Sequence, residues 1–92
     1  MSKLMLGSVV RSEAGKEAGN YYVILKVEDE YVYLADGRRL KTGNPKKKKL
    51  KHIAPTGYTD EALSSKLVSG REVTNKEVRR AKSDYLKQID NN

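Results

Sequence analysis

Apolar and polar residues alternate along the first half of the chain, and alternation with a period of two is typical of β-strands. This pattern predicts five short strands, at residues 8–12, 21–27, 31–35, 38–42 and 50–53. Asp36-Gly37 is a dipeptide common in two-residue hairpin turns. Gly43-Asn44-Pro45 is expected to end the fourth strand, and Pro55-Thr56-Gly57 to close the unit. Five short strands are too few for a sandwich, so we expect a small, strongly bent antiparallel barrel.

Beyond residue 57 the apolar residues recur every three or four positions, which predicts two short α-helices. The first has Thr59 or Asp60 as its N-cap and ends at Gly70. The second begins with Thr74-Asn75-Lys76-Glu77, which has the spacing of a capping box. Its apolar stripe consists of Val78, Ala81, Tyr85, Leu86 and Ile89. This stripe needs a cover, so the helix either packs on the barrel and the first helix or docks on a partner.

These patterns divide the chain into a barrel with a lysine-rich loop at residues 1–55 and a helical C-terminal extension at residues 56–92. A chain of 92 residues has little interior for an elaborate active site. It contains no cysteine and one histidine, His52, which argues against thiolate nucleophiles, disulfides and the common zinc sites. No serine stands in a nucleophile-elbow context. We therefore expect no enzymatic activity, no cofactor and no metal.

The apolar runs are too short to cross a membrane, and a cysteine-free chain fits a cytoplasmic location. The lysine run also lacks the interleaved Leu, Phe or Trp that would insert among lipid headgroups. We therefore expect no membrane partner.

Positive charge is concentrated in the middle of the chain. The net charge is +7, yet residues 1–37 hold four basic and six acidic groups, and residues 53–92 hold seven and six. Residues 38–52 hold eight basic groups and no acidic group. Because crowded like charges repel one another, a polyanionic partner is the natural explanation, and nucleic acid is the leading candidate. The alternative is a solvated lysine-rich loop that only increases solubility.

The segment Gly7-Ser8-Val9-Val10-Arg11-Ser12-Glu13-Ala14-Gly15-Lys16-Glu17-Ala18-Gly19, followed by the apolar stretch 21–27, resembles the KOW motif. The likeness extends over about residues 5–55 and is closest to small stand-alone KOW-domain RNA-binding proteins, which are akin to a class of large-subunit ribosomal proteins. KOW motifs also occur in NusG-type transcription factors. The resemblance implies that this segment forms the first two strands of an SH3-like barrel, and that the loop between them contacts RNA.

The chemistry of that loop can be understood without the family name. Gly15 and Gly19 let the main chain approach a phosphate, and Lys16 between them supplies a compact charge. Glu13 and Glu17 repel phosphate, so the alternative is that the two glycines only allow a turn. The candidate RNA-binding residues are Arg11, Lys16, Arg38, Arg39, Lys41, Lys46, Lys47, Lys48, Lys49, Lys51 and His52.

Phosphate contacts attract RNA without reading its sequence. If roughly five phosphates of a single strand are neutralised, the slope of log affinity against log salt should be about −3 to −4. Tyr22, Tyr31 and Tyr33 are either stacking platforms for bases or, in a chain without Phe or Trp, part of the core.

We therefore expect a basic, non-catalytic, ribosome-associated protein of translation that binds ribosomal or other structured RNA through phosphates. The alternative is a protein-interaction module of the transcription or translation machinery, with Val78, Tyr85, Leu86 and Ile89 as its contact.

Overall fold

The computed structural model describes residues 4–90, which form a five-stranded antiparallel sheet followed by two helices. The strands are β1 (Ser8–Ser12), β2 (Tyr21–Glu28), β3 (Tyr31–Ala35), β4 (Lys46–Lys49) and β5 (Ile53–Thr59). Two 3₁₀ turns, Gly15–Glu17 and Leu50–His52, precede β2 and β5, and the helices are α1 (Glu61–Val68) and α2 (Asn75–Asp90). The expected mainly β architecture with two C-terminal helices is confirmed.

The sheet is open. Its strand order is β4-β3-β2-β1-β5, so β4 and β5 form its two edges, and over the described residues they do not pair with each other. The expected closed barrel is therefore not formed by strand pairing. The pairing register shifts at Val9/Val10 and between Ile24 and Lys26, and β-bulges of this kind bend a strand and increase its twist.

Each face of the sheet carries a cluster of buried apolar residues, since successive side chains of a strand point to opposite sides. Val9, Val23 and Ala35 pack against the helices, where they meet Leu63, Val78 and Ala81. The neighbouring residues form a second cluster on the other face, namely Val10, Tyr22, Ile24, Val32 and Leu34. Leu40, Leu50 and other partly buried residues cover this second cluster. A small chain thus divides its apolar residues between two thin cores.

The fourth strand lies later in the chain than predicted. Residues 38–42 form no strand, because the Asp36 carboxylate accepts hydrogen bonds from the backbone N–H groups of Arg38 and Leu40. The N–H of Thr42 is bound by the side chain of Asn75 at 2.8 Å. With its backbone groups satisfied in this way, the segment docks on the start of α2 and does not join the sheet.

The lysine run, expected as a loop, is itself strand β4. Lys46–Lys49 pairs with β3 in the register Tyr31↔Lys49, Val32↔Lys48, Tyr33↔Lys47 and Leu34↔Lys46. Lysine has a low intrinsic preference for strands, but pairing with a buried neighbouring strand overrides that preference.

The sheet also continues past the expected end of the first unit. Pro55-Thr56-Gly57 lies within β5, where Val10 pairs with Pro55 and Val9 with Tyr58. The Thr56 hydroxyl donates to the Val9 carbonyl at 2.6 Å across the resulting bulge. Proline is tolerated here because β5 is an edge strand. The predicted boundary between residues 55 and 56 therefore falls inside β5, and the sheet extends to Thr59.

The helix ends agree with the sequence signals. The Asp60 carboxylate accepts the Leu63 N–H at 3.0 Å, and Gly70, with φ +79°, follows the end of α1. Thr74 and Glu77 exchange the two hydrogen bonds of a capping box.

The apolar stripe of α2 packs on the sheet. Val78 and Ala81 are fully buried, and the Tyr85 ring lies 5.4 Å from Tyr21 and 5.7 Å from Tyr58 between centroids. Of the two arrangements that the sequence left open for α2, the intramolecular one is present.

Candidate nucleic-acid interface

The pleat of β4 divides the lysine run between two sides of the sheet. Lys47 and Lys49 lie in register with Tyr33 and Tyr31, and we call this side the outer face of β4. Lys46 and Lys48 point to the opposite side, the inner face. Four consecutive identical residues therefore have two different environments.

On the outer face, lysine ammonium groups lie over tyrosine rings. Lys47 Nζ is 4.4 Å from the centroid of Tyr31 and 5.9 Å from that of Tyr33. Lys26 Nζ, from β2, is 5.3 Å from the centroid of Tyr33. The Tyr33 hydroxyl donates to Glu28 at 3.0 Å, and this hydrogen bond, together with Lys26, lowers the pKa of the Glu28 carboxyl. Both rings are half-buried and partly accessible, and neither is among the described residues that form the two apolar clusters or pack against them.

A cleft of about 340 Å³ adjoins this surface at the end of β4. It is lined by Glu30, Tyr31, Lys49, Leu50 and Lys51. The Leu50 N–H donates to the Glu30 carbonyl at 2.8 Å, which holds the two walls together. The cleft brings Lys51 to the same place as Lys49, although Lys51 lies in the 3₁₀ turn after the strand.

On the inner face, Lys48 is held by two partners. Its Nζ donates to the Ala14 carbonyl at 2.7 Å and pairs with Glu17 Oε1 at 2.9 Å. The Lys48 and Glu17 side chains are only 11% and 15% exposed. The hydrogen bond from Lys48 lowers the pKa of Glu17, and the charge of nearby Lys46 acts in the same direction. The sequence predicted that Glu17 repels phosphate. In the structure Glu17 neutralises Lys48.

This ion pair joins the Gly15–Glu17 turn to β4. Gly15 has φ +77°, and a Cβ at that position would lie 2.8 Å from Lys48 Nζ. Lys16 is exposed in the same turn. The turn therefore lies against the lysine strand, and Lys48 makes the contact between them.

A third group of cations lies where the loop between β3 and β4 meets α2. Arg38, Arg39 and Lys41 are all exposed. Arg79 Nη1 donates to the Gly37 carbonyl at 2.8 Å, which fixes the loop to the helix. The adjoining cleft of about 290 Å³ is lined by Asp36, Arg38, Arg79, Lys82, Ser83 and Leu86.

Three further cations at these surfaces, Lys26, Arg79 and Lys82, are not among the residues predicted from the sequence. The helical spacing of Arg79 and Lys82 on one side of α2 was the available signal, because residues three apart on a helix are neighbours.

Two predicted residues lie apart from these groups. Arg11 Nε pairs with Glu13 Oε2 at 2.8 Å, and Arg11 lines a cleft with Tyr21, Pro55 and Tyr85 near β5. His52 is half-buried in its 3₁₀ turn, and its backbone carbonyl accepts the Glu13 N–H at 2.8 Å. Neither residue is among those that line the cleft with Lys49 and Lys51.

Most of the central charge has no carboxylate partner within the described residues. Of the eight basic residues at 38–52, Lys48 forms an ion pair, and within residues 4–90 the remaining seven form none. They are Arg38, Arg39, Lys41, Lys46, Lys47, Lys49 and Lys51. All seven are exposed.

No family model matches this chain, and no curated protein matches it. The resemblance to the KOW motif therefore stays a prediction. Over the described part of the chain, no three His, Asp or Glu side chains lie where they could hold a metal ion. No helix between residues 4 and 90 has the length and apolar character needed to span a membrane.

Proposed function

We propose that this protein is a non-catalytic RNA-binding protein that contacts ribosomal or other structured RNA mainly through phosphates. The observation that carries the proposal is the set of seven exposed cations between residues 38 and 52 with no carboxylate partner among the described residues. Their mutual repulsion disfavours the free protein, and a chain of phosphates would relieve it. A ribosomal RNA target implies a cytoplasmic protein of the translation machinery.

The number of exposed lysines predicts how strongly salt should weaken RNA binding. Because Lys48 is neutralised by Glu17, the cations that β4 and the following turn offer to phosphate are Lys46, Lys47, Lys49 and Lys51. Release of counterions from about four phosphates of a single strand predicts a slope of log affinity against log salt of about −3.

A KOW-type, SH3-like fold is part of this proposal. In support, β1, a glycine-bearing turn and β2 occur at the positions that the motif predicts, and the turn lies against the lysine strand. In an SH3-like fold of this type the Gly15–Glu17 turn, with exposed Lys16, would extend the phosphate-binding surface.

The alternative function, a protein-interaction module that uses the stripe of α2, has less support. Val78 is buried and Tyr85 packs on two other tyrosines, so this part of the stripe is already covered. Ile89, which is 40% exposed, is the most accessible member of the stripe.

The experiment compares two triple variants that remove the same charge. Lys46→Gln, Lys47→Gln and Lys49→Gln together neutralise β4 but leave the Lys48–Glu17 pair. The matched control replaces exposed cations outside 38–52, with the changes Arg71→Gln, Lys76→Gln and Lys87→Gln. Circular dichroism confirms that both variants are folded, and affinity for a labelled ribosomal RNA fragment is measured over a salt series.

We expect the β4 variant to lose about 2 units of the salt slope and to bind at least about tenfold more weakly at low salt. The control should bind much like the wild type. Equal affinity and slope for the β4 variant and the wild type would contradict the proposal, and so would an equal loss in both variants.

A further inference from the structure

Two tyrosine rings on the outer face are not explained by phosphate binding alone. Tyr31 and Tyr33 follow each other on the same side of β3, half-buried and outside both cores. Lys26, Lys47 and Lys49 surround them, through ring contacts or register. Aromatic rings among cations form the pattern with which proteins bind single-stranded nucleic acid, because each base has a face that stacks and each nucleotide carries a phosphate.

We propose that the outer face of β3 and β4 binds unpaired nucleotides, with bases stacked on Tyr31 and Tyr33 and phosphates held by Lys47, Lys49 and Lys51. The protein then prefers single-stranded or bulged RNA to a regular duplex. This inference rests on the proposed RNA-binding function and adds the structural class of the RNA.

The spacing of the rings favours a strand that is not continuously stacked. Residues two apart on a strand are separated by about 6.8 Å along its axis. In double-stranded DNA, successive phosphates of one strand are about 3.4 Å apart along the helix axis, which is about half the separation of the two tyrosines. Neighbouring bases can therefore reach Tyr31 and Tyr33 only when the RNA is extended, and a base held within a duplex keeps its faces covered by its neighbours.

The cleft beside Tyr31 provides room for such a base. Its volume is about 340 Å³, and its lining includes Tyr31 and Leu50, which are largely apolar, and the cationic residues Lys49 and Lys51. Glu30 also lines it, and a carboxylate accepts N–H groups from the edge of a base while it repels phosphate. The two kinds of charge thus orient a nucleotide, with the base toward Glu30 and the phosphate toward the lysines.

Lys47 need not block the ring on which it lies. Its Nζ is 4.4 Å from the Tyr31 centroid, and the lysine side chain is exposed. An exposed contact of this type is weak compared with pairing of an ammonium group with phosphate. When phosphate binds Lys47, the ammonium group can leave the ring face and make room for a base.

The test separates stacking from charge in the full-length protein. The double variant Tyr31→Ala and Tyr33→Ala removes the rings, and Tyr31→Phe with Tyr33→Phe keeps them. The variant Lys47→Gln with Lys49→Gln removes charge from the same surface. Each is titrated with a labelled poly-uridine strand and with a blunt-ended RNA duplex over a salt series, and thermal melting confirms that each is folded.

We expect the wild type to bind the single strand more tightly than the duplex. The alanine variant should bind the single strand at least about tenfold more weakly, with its salt slope and its duplex affinity unchanged. The phenylalanine variant should still bind the single strand more tightly than the duplex. The lysine variant should bind both probes more weakly, with a lower salt slope.

The inference is overturned if the alanine variant binds the single strand as the wild type does, or if it loses affinity equally for both probes. In either case, a reduced salt slope in the lysine variant would leave the proposed RNA-binding function standing. A wild type that binds neither probe and no ribosomal RNA fragment would overturn both.

Discussion

The two faces of β4 carry the same residue, yet Lys47 on one face and Lys48 on the other differ in almost every other respect. On the outer face, Lys47 is exposed and lies over tyrosine rings without a carboxylate partner among the described residues. On the inner face, Lys48 is mostly buried and bound to Glu17 and to the Ala14 carbonyl. The inner lysine holds the glycine-bearing turn against the strand, whereas the outer lysine is available to a ligand. A run of identical charges can therefore contain both a structural residue and residues that are accessible to a ligand.

The two edges of the sheet differ as well. An exposed edge strand tends to pair with other chains, and proteins prevent this with charge, proline or bulges. β5 uses Pro55 and the bulge at Thr56-Gly57, whereas β4 uses four lysines. Edge protection can thus be achieved in this molecule without concentrated charge. Protection of the sheet edge does not account for the further cations Arg38, Arg39 and Lys41, which lie outside both edge strands.

Substitution of Lys48 and Lys47 should show the largest contrast between the faces. Lys48→Ala leaves Glu17 and the Ala14 carbonyl without their partner, so the free energy of unfolding should fall by about 2 kcal/mol. Lys47→Ala removes only exposed contacts with rings and should cost about 0.5 kcal/mol. Urea denaturation of both variants measures the difference. Equal losses would show that the two faces of β4 do not differ energetically.

Two glycines of the same turn test the contact between that turn and Lys48. Gly15 and Gly19 both have positive φ, so alanine at either should cost about 1 kcal/mol. A Cβ at Gly15 also meets Lys48 Nζ at 2.8 Å, whereas a Cβ at Gly19 meets nothing within 4 Å. Gly15→Ala should therefore cost about 1 kcal/mol more than Gly19→Ala, because it displaces Lys48 from its partners. Identical melting curves for the two variants would contradict this reading.

The Lys48–Glu17 pair should also appear in the pH dependence of stability. The pKa of Glu17 is lowered from its ordinary value of 4.5 by the hydrogen bond from Lys48. Its contribution is therefore complete above about pH 4.5 and is lost as the pH falls through the lowered pKa. Glu17→Gln should be less stable than the wild type near neutral pH, and the two should converge in acid. Glu72→Gln, at an exposed carboxylate, is the control. A constant difference between Glu17→Gln and the wild type down to the lowest pH would refute the assignment.

Removal of charge from the outer face and its adjoining cleft should give the smallest effect, with the opposite sign. Lys49→Gln with Lys51→Gln leaves the ring contacts of Lys47 in place and relieves repulsion among cations that have no carboxylate partner in the described residues, so the free energy of unfolding should rise by about 0.5 kcal/mol at low salt. Added salt screens the repulsion in the wild type and should remove the difference. A clear loss of stability at low salt would mean that these lysines also have structural partners.

Local signals in the sequence predicted much of this fold. Tyr21–Glu28 and Tyr31–Ala35 are rich in β-branched and aromatic residues, and Asp60 and Thr74 are helix caps that act within a few residues. Such elements depend on nearby residues, so their positions could be read directly from the chain.

The position of the fourth strand, which was predicted incorrectly, depends on residues that are distant in the sequence. The choice between 38–42 and 46–49 is determined by Asp36, by Asn75 on α2 and by pairing with β3. For the same reason the sequence indicated a cluster of cations but did not indicate which of them are exposed and which are held in ion pairs. Only the register Val32↔Lys48 and the position of Glu17 show that Lys48 is a structural residue.

The central claim is that RNA binds at the outer face of β4, and nuclear magnetic resonance of the isotope-labelled protein tests it most directly. Single-stranded RNA is added in steps while the backbone amide resonances are followed. We expect the largest shifts at Tyr31, Tyr33, Lys47, Lys49 and Lys51, and small shifts along β5. Largest shifts along β5 or at the end of α2, with the β4 resonances unchanged, would contradict it.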